Sequence, residues 1–277
     1  MKNLLFVLMI FCMTAATKAQ EISTMTYNIR LNTDSDGENA WPLRKEYLAA
    51  QIKFYDPDFF GVQEALPEQM DFLREQFSAY TALGEGREGK NKGEFSALFY
   101  KTKKFNLEEN GMFWLSKTPG NVSTGWDAAL PRVCTYGLFR LKEGGEKTWV
   151  FNTHFDHVGQ EARVNSAQLI LDKIKELNTE NYPVVVMGDL NVEPDNEVIT
   201  TFKKQMDDTH EVSQQPAFGP KGTFNGFHHN EPVTRRIDHI FVSKNGLEVL
   251  KYGILSDSKD LKYPSDHLPV YTLLKFE

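Results

Sequence analysis

Pro183-Val-Val-Val-Met-Gly-Asp-Leu-Asn191 decides the fold. Val184 to Met187 form a short apolar run bounded by Pro183 and Gly188, the pattern of a strand buried on both faces. Asp189 and Asn191 follow at its end. Period-2 geometry puts them on the same side of the chain, with Leu190 turned away. A carboxylate beside a neutral amide suits holding a water or a phosphate oxygen. Taken alone, the stretch is equally a strand end and a turn, because Gly, Asp and Asn favour turns.

Neighbouring stretches repeat the pattern. Ile22 to Arg30 alternates and is rich in strand formers, with Asn28 interrupting its apolar character. Phe59-Phe-Gly-Val-Gln-Glu64 is a second buried strand ending in an acid. Thr148 to His154 is a strand that runs on into Phe155-Asp156-His157. It pairs with Val133 to Leu141 across Lys142-Glu-Gly-Gly-Glu-Lys147, a hairpin signal. Arg235 to Val242 carries Asp238 and His239, and Ser265-Asp266-His267 opens the last strand. Strands are also expected over Phe95–Tyr100, Phe105–Leu115 and Leu247–Ile254.

Helices are expected from Trp41-Pro42 to about Tyr55, over Pro67–Phe77 and 161–177, and near 196–203. The first should bury Leu43, Tyr47, Leu48 and Ile52. Gly84 to Gly93 reads as a mobile loop. No Gly-Lys-Ser/Thr follows it and no helix pattern begins, so it is not a phosphate cradle. Interleaved strands and helices without a linker point to one mixed α/β domain.

The first segment is read as a targeting signal. Lys2 precedes the apolar run Leu4–Met13, which is followed by Thr17-Lys18-Ala19, as in a secretory peptide. The run is too short to span a bilayer. Cys12 lacks the small residues that precede a lipidated cysteine. Cleavage is placed after Ala19, leaving residues 20–277 as the domain, exported to a periplasmic or extracellular location.

Beyond Ala19 stand 29 basic and 38 acidic residues, a balance of −9, because the signal holds Lys2 and Lys18 and no acid. That surface does not favour broad attraction to nucleic acid, though it leaves room for a local basic site. Cys134 alone remains there, so no intramolecular disulfide is expected.

Asn28, Glu64, His154 with Asp156, Asp189 with Asn191, Asp238 with His239, and Asp266 with His267 all sit at strand termini. If they converge, they form a polar floor over a packed sheet. Asn, Asp and Glu oxygens suit a hard cation such as Mg²⁺, Mn²⁺ or Ca²⁺. The histidines suit acid–base work or phosphate contact. Asp238 can orient His267. Zinc on His154, Asp156 and His157 is a rival use, without an HExxH helix to support it.

In this order, Thr26-Tyr-Asn28, Gln63-Glu64, Asn152-Thr-His154, Gly188-Asp-Leu-Asn191, Arg236-Ile-Asp238-His239 and Ser265-Asp266-His267 resemble the endonuclease/exonuclease/phosphatase superfamily. That DNase-like group includes apurinic endonucleases, sphingomyelinases, deadenylases and inositol phosphatases. The resemblance implies a four-layer sandwich, with two mixed β-sheets face to face and helices outside. It also implies divalent-metal-dependent hydrolysis of a phosphate ester, with Mg²⁺ or Mn²⁺ as cofactor.

By the same resemblance, Glu64 is the principal metal ligand, with Asn28 and Asp266 near it. Asp189 orients or deprotonates the attacking water. His154 and Asn191 hold phosphate oxygens. His267, oriented by Asp238, contacts the scissile phosphate or acts as acid–base partner. Some members carry an acid where Arg30 stands here, which weakens the case for a second metal. Arg132, Arg163 and His157 are candidate substrate contacts.

A monomeric phosphohydrolase of mono- or diesters is expected, and a small metabolite or sugar phosphate fits the composition by elimination. A nuclease would want a basic groove with stacking aromatics. A sphingomyelinase-like enzyme would want an exposed apolar hairpin, which the loop with Phe113, Trp114 and Trp126 could supply. A binding protein that kept the fold would be expected to lose Glu64, Asp189, Asp238 or His267, and all four are present.

Overall fold

The Val184–Met187 run lies at the middle of a sheet, where its side chains are buried on both faces. The computed structural model describes residues 20–277. The targeting signal and Cys12 lie outside the described residues.

The strands are β1 (Glu21–Asn28), β2 (Phe59–Gln63), β3 (Tyr80–Leu83), β4 (Leu98–Lys101), β5 (Phe105–Trp114), β6 (Val133–Leu141), β7 (Lys147–His154), β8 (Val184–Asp189), β9 (Met206–Asp208), β10 (Asp238–Ser243), β11 (Leu247–Ile254) and β12 (Val270–Phe276). The helices are α1 (Trp41–Tyr55), α2 (Pro67–Gln76), α3 (Gln160–Leu177), α4 (Glu197–Lys203) and α5 (Thr209–Val212). One sheet has the order β11-β12-β1-β2-β4-β3 and the other β5-β6-β7-β8-β10-β9.

The apolar clusters define four layers. Ile22, Phe59 and Leu98 of the first sheet pack with Phe139, Val150, Val185 and Ile240 of the second. Met25, Phe60 and Val62 turn the other way, onto Leu48 and Ile52 of α1 and Met70 and Leu73 of α2. Phe151, Val184 and Val186 likewise face Ile170 of α3 and Phe202 of α4. Alternation along each strand thus supplies both an inner and an outer core.

Each sheet contains one parallel pair, β1 with β2 and β7 with β8, and antiparallel neighbours around it. This topology gathers the site. The C-terminal ends of both pairs lie at one edge. The antiparallel strands β10 and β12 begin there, so Asp238 pairs in register with Asp189, and Asp266 and His267 lie just before β12.

Behind this edge Asn152 crosses between sheets. Its Nδ2 donates to the Val62 and Ala97 carbonyls, and its Oδ1 accepts from Gln63 Nε2 at 2.7 Å. Gly61 makes room, since a Cβ there would collide with the Asn152 side chain.

Several elements depart from the sequence reading. Leu43 of α1 is exposed, whereas Leu48 and Ile52 are buried as expected, together with Trp41, Arg44 and Gln51. The segment 84–93 is a loop, but a tied one. Arg87 N donates to the Glu94 carbonyl at 2.9 Å, and Glu88 N to the Lys92 carbonyl at 3.1 Å. The short elements β3, β9 and α5 carry too few residues to show a period. Phe113 is buried, and Trp114 is half-buried with its indole N–H donating to the Arg87 carbonyl at 2.8 Å. These two aromatics therefore do not form an exposed apolar hairpin.

The buried pair Asp208–Arg236 ties β9 to the approach of β10. The guanidinium donates to both carboxylate oxygens at 3.1 and 2.8 Å. Burial raises the Asp208 pKa, but Arg236 outweighs it and holds the group below its usual value. Removing one partner of such a pair strands the other charge, so Asp208→Ala is expected to cost about 3–5 kcal/mol. The folded pKa is depressed. The stabilisation is therefore complete above the unfolded pKa of about 3.9 and is lost as pH falls through the folded value. Urea midpoints of the variant and parent should differ at pH 7, and the difference should shrink as pH falls below about 3.9. Equal midpoints at pH 7 would contradict the account.

Candidate active site

The polar strand termini converge on a cavity of about 410 Å³. Asp189 stands at its floor, fully buried. Its Oδ2 accepts from Asn28 Nδ2 at 2.9 Å and its Oδ1 from the Asn191 N–H at 2.9 Å. Gly188 before it has φ 155°, and a Cβ there would collide with the Thr153 carbonyl, so the two parallel strands approach closely only with glycine. Burial and the Asp238 carboxylate push the Asp189 pKa up to about 7, against His267 and the bonds from Asn28 and Asn191. A buried carboxylate raised in this way is suited to accept a proton near neutral pH.

Three strand exits turn through left-handed backbone at non-glycine residues: Arg30 (φ 57°), Glu64 (φ 62°) and Asn191 (φ 53°). Such conformations cost energy and cluster where side chains are aimed for function.

His154 is buried between two donors. Arg132 Nη1 lies 3.1 Å from its Nδ1, and Asn191 Nδ2 lies 3.1 Å from its Nε2. The Asn191 amide is fixed in that sense because the same nitrogen donates to the Phe155 carbonyl at 3.0 Å. Burial, then Arg132 and Arg87, lower the His154 pKa well below its usual value, so the ring is neutral. A neutral imidazole has one acceptor nitrogen. In either tautomer, one of the two contacts sets donor against donor. Asp189 Oδ2 lies 3.6 Å from Nε2, and the Phe155 carbonyl already accepts from Asn191. Arg132, Asn191 and His154 nonetheless converge on the cavity wall, where an anionic oxygen would add an acceptor for them.

Arg132 also donates from Nη2 to His157 Nδ1 at 3.0 Å and lies 3.5 Å from Asp156 through Nε. Asp156 is otherwise taken by the Ala129, Val158 and Gly159 N–H groups. The rival zinc set fails on this geometry, because the Arg132 guanidinium occupies the space among His154, Asp156 and His157. Arg163 does not line the cavity. It donates to the Asp156 carbonyl at 3.0 Å and to Gln160 at 2.8 Å. That placement corrects its reading as a substrate contact. His239 is buried with Nε2 3.0 Å from the Val192 carbonyl and also stays outside the cavity.

His267 Nδ1 donates to Asp238 Oδ2 at 2.8 Å, and its Nε2 lies 3.8 Å from Asp189 Oδ2. Burial opposes charge on the ring, but Asp238, with Asp189 and Asp266, raises its pKa well above the usual value. Phe224 packs edge-on against it at 5.1 Å.

Two groups of residues could hold a cation. Asp189, Asp238 and His267 bring one ligand atom each within 4.8 Å of one another. Asp238 Oδ2 is committed to the His267 N–H, while its Oδ1 is buried without a partner among the described residues, so this trio is a hydrogen-bonded relay that could also take an ion. Glu64 and Asp266 fit better. Both line the cavity, and both offer hard oxygens. Burial raises the Asp266 pKa and the Glu64 carboxylate adds to it, against His267, Arg30 and Arg44, and a cation at the two carboxylates would offset the cost of burying their charge. Arg30 supplies part of the balance at 3.9 Å from each, while its main partner is Asp36 at 2.9 Å.

Asn28 does not fit as an oxygen ligand. Its Oδ1 accepts from the Arg30 N–H at 3.0 Å, and its Nδ2 points at Glu64 (3.0 Å) and Asp189 (2.9 Å). In this arrangement it is a donor bridging two carboxylates. A divalent cation on Glu64 and Asp266 would act as a Lewis acid and offset charge on phosphoryl oxygens.

Sequence reasoning missed four residues. Arg87 and Glu94 line the cavity as an ion pair. Arg44 reaches from α1 to the Ile29, Arg30 and Pro264 carbonyls, pinning the exit of β1 to the approach of β12. Gln69 of α2 accepts from the Asn32 N–H and donates to the Arg30 carbonyl. For Arg44 a signal existed, three residues after Trp41 and four before Leu48 on one helix face.

The model of the Endonuclease/Exonuclease/phosphatase family matches residues 25–267. The chain belongs to this family. Its members are phosphoric ester hydrolases, and this member is an enzyme of that class. It is similar to a mannosyl-6-phosphatase of Bacteroides thetaiotaomicron VPI-5482, with 40% identity, 92% of this chain and 100% of that one covered, and a TM-score of 0.87. A second family protein from Bacteroides thetaiotaomicron is 38% identical over 94% of this chain and 99% of its own, with a TM-score of 0.89. The human nocturnin catalytic domain, 24% identical over 93% of this chain and 94% of its own, with a TM-score of 0.74, shares the fold. Among the described residues of this family member, no helix is long and apolar enough to cross a membrane.

Proposed function

We propose that this protein is a metal-dependent phosphomonoesterase that releases phosphate from a sugar phosphate outside the cytoplasm. The observation that carries the reading is the convergence of Arg132, His154 and Asn191 on one cavity beside Asp189. Arg132 and Asn191 flank the imidazole at 3.1 Å each, a grouping of N–H donors that suits the oxygens of a phosphate. The cavity of about 410 Å³ suits a small molecule. The likeness to the mannosyl-6-phosphatase supports a hexose phosphate. The Leu4–Met13 run with Ala19 supports export.

In this reading Asp189 takes the proton of the attacking water. His154, Asn191 and Arg132 hold the phosphoryl oxygens. His267, kept charged by Asp238, contacts the phosphate and can give a proton to the leaving alcohol. Glu64 and Asp266 hold Mg²⁺ or Mn²⁺. His157 positions Arg132.

The test is a panel of hexose 6-phosphates, bis-p-nitrophenyl phosphate, plasmid DNA, RNA and sphingomyelin, offered to residues 20–277 with and without Mg²⁺ or Mn²⁺. Metal-dependent phosphate release from the hexose phosphates is expected. Turnover confined to DNA, RNA or sphingomyelin would overturn the reading. Arg132→Met should weaken inhibition by inorganic phosphate about tenfold to a hundredfold, the worth of one hydrogen bond to a charged group. An unchanged inhibition constant would remove Arg132 from the phosphate site.

A further inference from the structure

We infer that the Arg87–Glu94 pair on the cavity wall reads the hydroxyl groups of the leaving alcohol, and so selects a polyhydroxylated phosphomonoester. This rests on the proposed phosphomonoesterase reading of the same cavity.

The pair is formed by the glycine-rich loop between β3 and β4. Arg87 Nη1 donates to Glu94 Oε2 at 2.9 Å, and Nη2 lies 2.6 Å from Oε1. Arg87 is 8% exposed. The loop is fixed from outside, since Trp114 Nε1 donates to the Arg87 carbonyl at 2.8 Å. The pair is therefore presented by an anchored backbone.

A buried ion pair is a poor stability device, because desolvation of both charges offsets their attraction. Phosphate binding does not account for it either. Bidentate pairing cancels the Arg87 charge, and Arg132 already faces the donor-rich space at His154. What the pair offers is a donor beside an acceptor. Each Nη keeps a second hydrogen, and each carboxylate oxygen keeps a further lone pair. Arg87 Nε is buried without a partner among the described residues.

A hydroxyl is itself donor and acceptor, so a diol matches such a pair, whereas an aromatic alcohol cannot use it. Phe224 gives the same cavity an aromatic surface, with the Arg235 guanidinium 5.2 Å above its ring. An apolar surface and a paired donor and acceptor together suit the C–H face and the hydroxyl edge of a sugar ring. A site built to bond substrate hydroxyls disfavours analogues that lack them, because the remaining N–H groups and lone pairs of the ion pair then lose solvent without gaining a partner.

The experiment compares kcat/KM for a hexose 6-phosphate with that for phenyl phosphate, using the parent, Glu94→Gln and Arg87→Lys. Glu94→Gln keeps the shape and removes the charge. Arg87→Lys keeps the charge and removes the fork. In both variants the preference for the hexose 6-phosphate should fall at least tenfold, with phenyl phosphate turnover showing that each variant is folded. A preference unchanged from the parent, or equal losses on both substrates, would overturn the assignment. If the parent itself cleaves phenyl phosphate but no sugar phosphate, the phosphomonosaccharide reading falls first and this inference with it.

Discussion

Asp189→Asn lowers kcat by about 10²–10⁴-fold, the usual worth of a positioned general base. The substitution keeps the shape at the cavity floor but only one of the two acceptors, which face Asn28 Nδ2 and the Asn191 N–H. It removes the charge that can take a proton. Burial and Asp238 raise the Asp189 pKa to about 7, which matches a base working near neutral pH. KM should change much less than kcat, because the phosphate contacts are assigned to His154, Asn191 and Arg132. Steady-state kinetics on a hexose 6-phosphate, with circular dichroism to verify folding, checks this. A variant retaining a tenth or more of the parental kcat would exclude Asp189 as the base.

Glu64→Gln is the second large effect. Partners that only orient a metal ligand are worth 10–100-fold in metal affinity, and loss of the ligand carboxylate should exceed that. The half-saturating Mn²⁺ concentration should therefore rise more than about 100-fold, with a matching loss of activity at fixed metal. Isothermal titration of Mn²⁺ reads the same loss without turnover. If Mn²⁺ binds the variant as it binds the parent, the ion is not held at Glu64. Asp189, Asp238 and His267, whose ligand atoms lie within 4.8 Å of one another, would then be its place.

The central strand and its polar end were legible because burial on both faces leaves a continuous apolar run. The other termini were legible because Asn28, Glu64 and His154 each interrupt or close such a run, and order along the chain did the rest. What the sequence could not show were partners made by tertiary contact. Arg44 and Gln51 sit on the buried face of α1 because their partners lie far along the chain: Pro264 for Arg44 and Asp257 for Gln51. A hydrophobic period therefore mistook exposed Leu43 for core. Arg87 and Glu94 sit among glycines and charges, a composition that usually means a solvated loop. Their burial depends on Trp114 and on the cavity wall. The Arg163 misreading has the same origin, since a helix-start arginine looks free until the Asp156 carbonyl is placed beside it. Asn28 was assigned a ligand role by its residue type, and only the Arg30 N–H on its oxygen shows that the nitrogen faces the carboxylates.

The most direct measurement is the ratio of kcat/KM for a hexose 6-phosphate to that for the methyl diester of the same sugar phosphate, with residues 20–277 and saturating Mn²⁺. The monoester offers three free oxygens to the donors around His154, and the diester only two. A ratio of about 10–100 is expected, since the one oxygen lost removes one hydrogen bond to a charged group, worth about 1.5–3 kcal/mol. A ratio near one, or a preference for the diester, would contradict a site built for the terminal phosphate.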